Sequence, residues 1–115
     1  MTIYAWILQV ILALMFIIAG SGKIFGSKMH IENFKTWGYP QWFRIVTGII
    51  ELVGAILLIL GYWNETAPLI GAAIFVAVGI GGVMTHIRMK DTLKDTAMIL
   101  VLGILALILL IILLL

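Results

Sequence analysis

Four apolar runs of about twenty residues each dominate the chain, over roughly 3–22, 43–62, 68–87 and 96–115. A run of that length, coiled as an α-helix, crosses a hydrocarbon core of about 30 Å. The three polar links between the runs are of unequal length. The first, 24–42, is long and mixes Phe34, Trp37 and Tyr39 with Lys28, His30, Glu32 and Lys35. The links 63–67 and 88–95 are short, so the runs they join must pair antiparallel. The pattern predicts an all-α membrane protein, a four-transmembrane-helix antiparallel bundle forming one domain over 1–115. A short interfacial helix is expected at about 28–38, where aromatic and charged residues suit the headgroup layer. Gly38 can cap it and Pro40 stops it.

Within the runs, small and polar residues recur at helical spacing. Ala5, Gln9, Ala13, Phe16, Gly20 and Lys23 share one face of the first helix. Thr47, Glu51 and Ala55, flanked by Gly48 and Gly54, share a face of the second. Ala73, Ala77, Gly81 and Thr85 form a small-residue stripe on the third, expected to be a close-packing face. Gly103 and Ala106 are the small contacts of the last helix, which should face lipid widely.

Composition agrees with the pattern. Of 115 residues, 64% are hydrophobic and 10% charged, against roughly a quarter charged in soluble proteins. The first run is not read as a secretory signal, because the basic residues follow it instead of preceding it. There are no cysteines, which excludes thiol–disulfide chemistry, iron–sulfur clusters and Cys-based zinc sites. A net charge of +2 gives no argument for nucleic acid. The placement of charge is more telling. Lys23, Lys28, Lys35, Arg44, Arg88, Lys90 and Lys94 all fall on the first and third links or the helix ends beside them. The termini and second link carry no Lys or Arg. By the positive-inside rule both termini lie outside and the links 23–44 and 88–95 are cytoplasmic.

Candidate chemistry centres on Glu51. Nine residues beyond Trp42, it lies about 13 Å into the core at 1.5 Å rise per residue. An ionised carboxylate there costs at least about 2.5 kcal/mol, and such residues usually serve a function. Lys23 and His86 end helices on the same border, with Thr47 and Thr85 nearby. These five residues are the expected ligand-binding set, forming one polar pocket open to the cytoplasm. The competing reading is a lone ion pair that fixes helix packing, with Lys23 snorkelling and His86 an ordinary interfacial histidine. Whether Glu51 is ionised turns on whether Lys23 stands beside it.

Other motifs fail. Gly20-Ser21-Gly22-Lys23 resembles a phosphate loop, but Ile17 stands where Gly is needed and Ile24 where Ser or Thr is needed. A metal site would need more ligands than one carboxylate and one imidazole. His30 and His86 make no convincing haem pair, and no Ser-His-Asp set can be assembled.

Taken in order, several segments resemble a known family. The first helix ends FIIAGSGKIFG, with Phe16, Ala19, Gly20 and Lys23. Gly38-Tyr39-Pro40 follows, then GIIELVGAILLILG with Gly48, Glu51, Gly54 and Gly61, then GGVMTHIR. This order resembles the DoxX and DoxX-like family of small four-helix membrane proteins, over nearly the whole chain. The resemblance implies a redox-associated, quinone- or quinol-linked subunit of the bacterial inner membrane, non-autonomous within a membrane oxidoreductase. A quinone is the implied cofactor, with Glu51, His86 or Lys23 bonding its ring oxygens. The implied partners are a membrane redox protein or a second copy. Two other readings stand beside it: a non-catalytic assembly partner or chaperone, and a proton-coupled exporter of small lipophilic molecules. The exporter fits less well, since small multidrug transporters carry their glutamate in helix 1 and show little charge asymmetry.

Overall fold

The structure, a computed structural model, describes residues 3–115 apart from the side chain of Asp95. Met1 and Thr2, within the expected 1–115 domain, lie outside the described residues. Five helices and no strand occur among the described residues: α1 (Ile3–Phe25), α2 (Lys28–Trp37), α3 (Gln41–Leu60), α4 (Ala67–Arg88) and α5 (Leu93–Leu114). Four are long and apolar enough to cross a membrane; α2 is the short helix of the first link. The fold is the expected four-helix membrane bundle.

Local chemistry sets the boundaries. α1 continues through Lys23 to Phe25, because its first obstacle is Gly26, held at φ 74°. Gly38, at φ 82°, ends α2, with its N–H and that of Tyr39 returning to Lys35 and Phe34 carbonyls. A left-handed glycine closes a helix without the Cβ clash other residues meet. Pro40 precedes the first residue of α3. Asn64 Oδ1 accepts from the N–H groups of Thr66 and Ala67, satisfying the exposed start of α4, and Pro68 occupies its first turn, where the missing N–H costs nothing.

The spans close into a ring in which α1 packs on α3, α3 on α4, α4 on α5, and α5 more thinly on α1. The buried face of α1 carries Ala5, Gln9, Ala13, Phe16 and Gly20, as its spacing predicts. At the centre the Phe16 and Phe75 rings stack at 3.8 Å. Gly54 makes room for them: a Cβ there would lie 2.6 Å from the Phe75 ring. α5 meets α4 where Gly79 and Gly103 face each other, and Ala106 is fully buried.

The stripe on α4 departs from expectation. Ala73, Ala77 and Gly81 are exposed, and a Cβ on Gly81 would touch nothing. The packed face instead carries Gly71, Ala72, Phe75 and Gly79. Both faces have small residues at helical spacing. The one with Phe75 turns inward because that ring has a partner in Phe16 and a notch at Gly54.

Candidate functional site

α1 and α3 cross at two glycines. A Cβ on Gly20 would lie 2.8 Å from the Gly48 carbonyl oxygen, and one on Gly48 would lie 2.7 Å from that of Gly20. Neither backbone can yield, so both positions exclude side chains. Three residues beyond each glycine, on the same faces, stand Lys23 and Glu51. The close crossing brings them together, with Lys23 Nζ 2.7 Å from Glu51 Oε1. The Glu51 side chain is 2% exposed and that of Lys23 14%. The carboxylate is thus sealed between helices, while the Lys23 side chain keeps part of its surface exposed. Lys23 turns into the bundle to meet it and does not snorkel outward.

Arg44 braces this arrangement. It is buried, donates from Nη1 to the Lys23 carbonyl, and donates from Nε to Gln41 Oε1 at 2.9 Å. A guanidinium at the C-terminal end of α1 meets carbonyls that have no partner within the helix, and complements the helix dipole. Arg44 lies four residues before Gly48 and seven before Glu51. That spacing places it on the same face, the signal by which the sequence could have marked it as part of the site.

His30, on α2, rests its ring against Gly22, where a Cβ would come within 3.0 Å. Burial, together with the charges of Lys23 and Arg44, holds its imidazole below the usual histidine range.

The other members of the expected set take partners of their own. His86 Nδ1 lies 2.6 Å from Asp91 Oδ2. Thr85 donates to the Gly81 carbonyl, and its Oγ1 meets the Tyr39 hydroxyl at 2.9 Å. Thr47 folds back to donate to the Phe43 carbonyl. Lys23 and Glu51 therefore form one unit, while Thr85 and His86 join a second cluster with Trp37, Tyr39 and Arg88. There the Trp37 and His86 rings meet edge to face at 5.6 Å, and the Arg88 guanidinium sits 4.9 Å over the Tyr39 ring. Tyr39 stood in the sequence only in the interfacial link and in the Gly38-Tyr39-Pro40 segment, neither of which marked it as a partner of Thr85 and Arg88. A third buried polar contact lies at the opposite end of α3, where Gln9 Nε2 donates to the Leu58 carbonyl.

The sequence profile of the DoxX-like family matches residues 7–109, an interval that takes in Gly20, Lys23, Gly48 and Glu51. The chain is similar to the uncharacterized protein YdgD of Bacillus subtilis (strain 168), with 32% identity over 79 residues, 69% of each chain. No solved structure is a significant match. The glycine crossing and the charged pair thus sit within a match that covers nearly all of the bundle, and the chain belongs to the DoxX-like family.

Proposed function

We propose that this protein is a redox-associated subunit of the bacterial inner membrane that holds a quinone-class molecule at the Lys23–Glu51 pair. The observation that carries the reading is the unequal exposure of the two partners. An ammonium has three donors, and Glu51 engages the Lys23 headgroup at 2.7 Å from inside the bundle. A donor remains for a carbonyl oxygen arriving from the lipid side, and the aliphatic side chains of Ile24 and Leu52 beside the two glycines suit an apolar ring. The fit uses Lys23 and Glu51 alone, since Thr47, Thr85 and His86 are engaged elsewhere. A bound quinone would supply two-electron, two-proton chemistry. Lys23 would orient it, and Glu51 would hold the Lys23 headgroup in place and keep its charge compensated. The chain has no cysteine and would take its electrons from a membrane redox partner. The basic links 23–44 and 88–95 would face the cytoplasm, with both termini outside.

Native mass spectrometry on protein purified in mild detergent tests this, with Glu51→Gln and Lys23→Met alongside. A quinone-sized adduct on the wild type that both variants lose is the expected result. An adduct kept equally by all three proteins, or none on any, refutes the assignment.

The outward Ala73–Ala77–Gly81 stripe favours a second reading, in which the protein acts as a membrane assembly partner. Ala73 and Ala77 line an open apolar groove with Leu110 and Leu114, and small residues there would let another helix approach closely. Recovery of no recurrent partner in a membrane pull-down would count against it.

A further inference from the structure

The turn between α1 and α2 gathers positive charge that no carboxylate answers. Arg44 is buried, with 8% of its surface exposed. Its contacts are neutral: Nε donates to Gln41 Oε1 at 2.9 Å, and Nη1 donates to the Lys23 carbonyl. The ion pairs among the described residues are Lys23–Glu51 and His86–Asp91, and neither includes Arg44. A buried guanidinium normally has a counter-ion, because a charge taken out of water is costly unless it is paired. The carbonyls at the end of α1 supply part of one, since a helix terminus is equivalent to about half an elementary charge.

The residues that meet Arg44 over this turn are polar or cationic. A Cβ on Gly26 would lie 3.4 Å from Arg44 Nη1, and one on Gly22 would lie 3.2 Å from His30 Nε2 and 3.6 Å from Ser27 Oγ. Three side chains thus gather over the two glycines of one turn. Burial weakens proton binding at the His30 ring, and the charges of Lys23 and Arg44 weaken it further, so the ring lies in a positive field. Ser27 precedes α2 without capping it through its hydroxyl, and the first turn of α2 has no acidic residue. The leading N–H groups of α2 therefore keep their capacity to donate. A buried cation without a counter-ion and an uncapped helix start are independent observations, and both call for one negative group. They meet at the basic end of the bundle, with Phe25 and Trp42 exposed nearby in sequence, as interfacial aromatics are.

We propose that the α1–α2 turn is a phosphate-binding site, in which Arg44, His30, Ser27 and the first turn of α2 hold the phosphate of an anionic lipid headgroup or a free phosphate ion. A guanidinium presents a planar fork of donors that matches phosphate oxygens, and the N–H groups of a helix start add further donors to the same anion. The site needs no quinone, and the quinone proposal needs no phosphate.

The test follows the ring carbon shifts of the two histidines through a pH titration of labelled protein in an uncharged maltoside, with His86 as the internal reference. A phosphate held beside His30 should tighten its proton binding roughly tenfold, since a neighbouring negative charge favours the imidazolium. His86, engaged with Asp91, should not follow. Inorganic phosphate is compared with chloride at equal ionic strength, and phosphatidylglycerol nanodiscs with phosphatidylcholine nanodiscs. A His30 response to inorganic phosphate assigns the site to the free ion; a response only in phosphatidylglycerol assigns it to the lipid headgroup. Arg44→Gln should abolish the response. Ser27 is exposed and aspartate is a good N-cap, so Ser27→Asp should fold and bring its own carboxylate to the site. His30 in that variant should bind its proton more tightly in chloride alone and no longer respond to phosphate or lipid, a result that decides the matter even if Arg44→Gln unfolds. No difference within either pair of media overturns the proposal. So does a His86 response as large as that of His30, or a His30 response that survives either substitution.

Discussion

Glu51 and Lys23 are each costly in this environment and tolerable only together. Removing one partner of a buried ion pair leaves an uncompensated charge, whereas replacing both with apolar groups of similar size can be nearly neutral. Glu51→Gln and Lys23→Met should each lower stability by about 3 kcal/mol on this ground. The combined Lys23→Met, Glu51→Leu variant should recover most of the loss, measured by unfolding in mixed micelles. Additive losses in the combined variant would mean that the two side chains are not coupled. The same comparison separates folding from binding: a stable double variant that has lost the ligand would show that the charges serve the site. Of the pair, Glu51 was conspicuous in the sequence because a carboxylate in an apolar run has few explanations. Lys23 was less so, because lysines at helix ends normally point to water. Its inward turn is set by the close crossing of two other segments, a tertiary fact that local pattern does not contain.

Helix contacts here are decided by which small residues have a bulky group to receive. Gly20 and Gly48 receive each other's backbone, Gly54 receives Phe75, and Gly79 receives Gly103. Gly81 receives nothing. Gly20→Ala should therefore force α1 and α3 apart, costing about 1–3 kcal/mol as overpacking and weakening the Lys23–Glu51 contact. Gly81→Ala should be neutral or slightly stabilising, since alanine is the better helix former. Thermal unfolding of the two variants side by side would check this, and equal losses would contradict it. The four spans were legible from run length alone, whereas α2 was read from the aromatic and charged residues of the first link, with Gly38 as its cap. The inward face of α4 was not. Its two stripes of small residues look equivalent until Phe16 and Gly54 choose between them. The grouping of Thr85 and His86 with Tyr39 was hidden for a similar reason. A border position fixes depth in the membrane but not which neighbour a side chain meets.

At the scale of the whole molecule, the bundle has two unlike ends. One gathers all seven Lys and Arg residues with α2 and the Tyr39 cluster. The other carries Trp6, Tyr62 and Trp63, with the Tyr62 hydroxyl bonded to the Trp6 carbonyl at 2.8 Å. The alternation of four spans puts every basic link on one side, so a single topology satisfies the positive-inside rule throughout. The pairing of Lys23 with Glu51 adds a constraint on biogenesis. α1 emerges from the ribosome first and can enter the bilayer with Lys23 still at the border. α3 follows carrying a carboxylate that costs at least about 2.5 kcal/mol in lipid without a counter-charge. Insertion of α3 should therefore depend on α1 already waiting beside the translocon. In a membrane-insertion reporter, α3 alone should integrate poorly, and placing α1 upstream should rescue it unless Lys23 is replaced by Met. Rescue that persists without Lys23 would mean that α3 enters without help from the pair. The ion pair that closes the finished bundle would then also act earlier, as a checkpoint on the order in which the bundle is assembled.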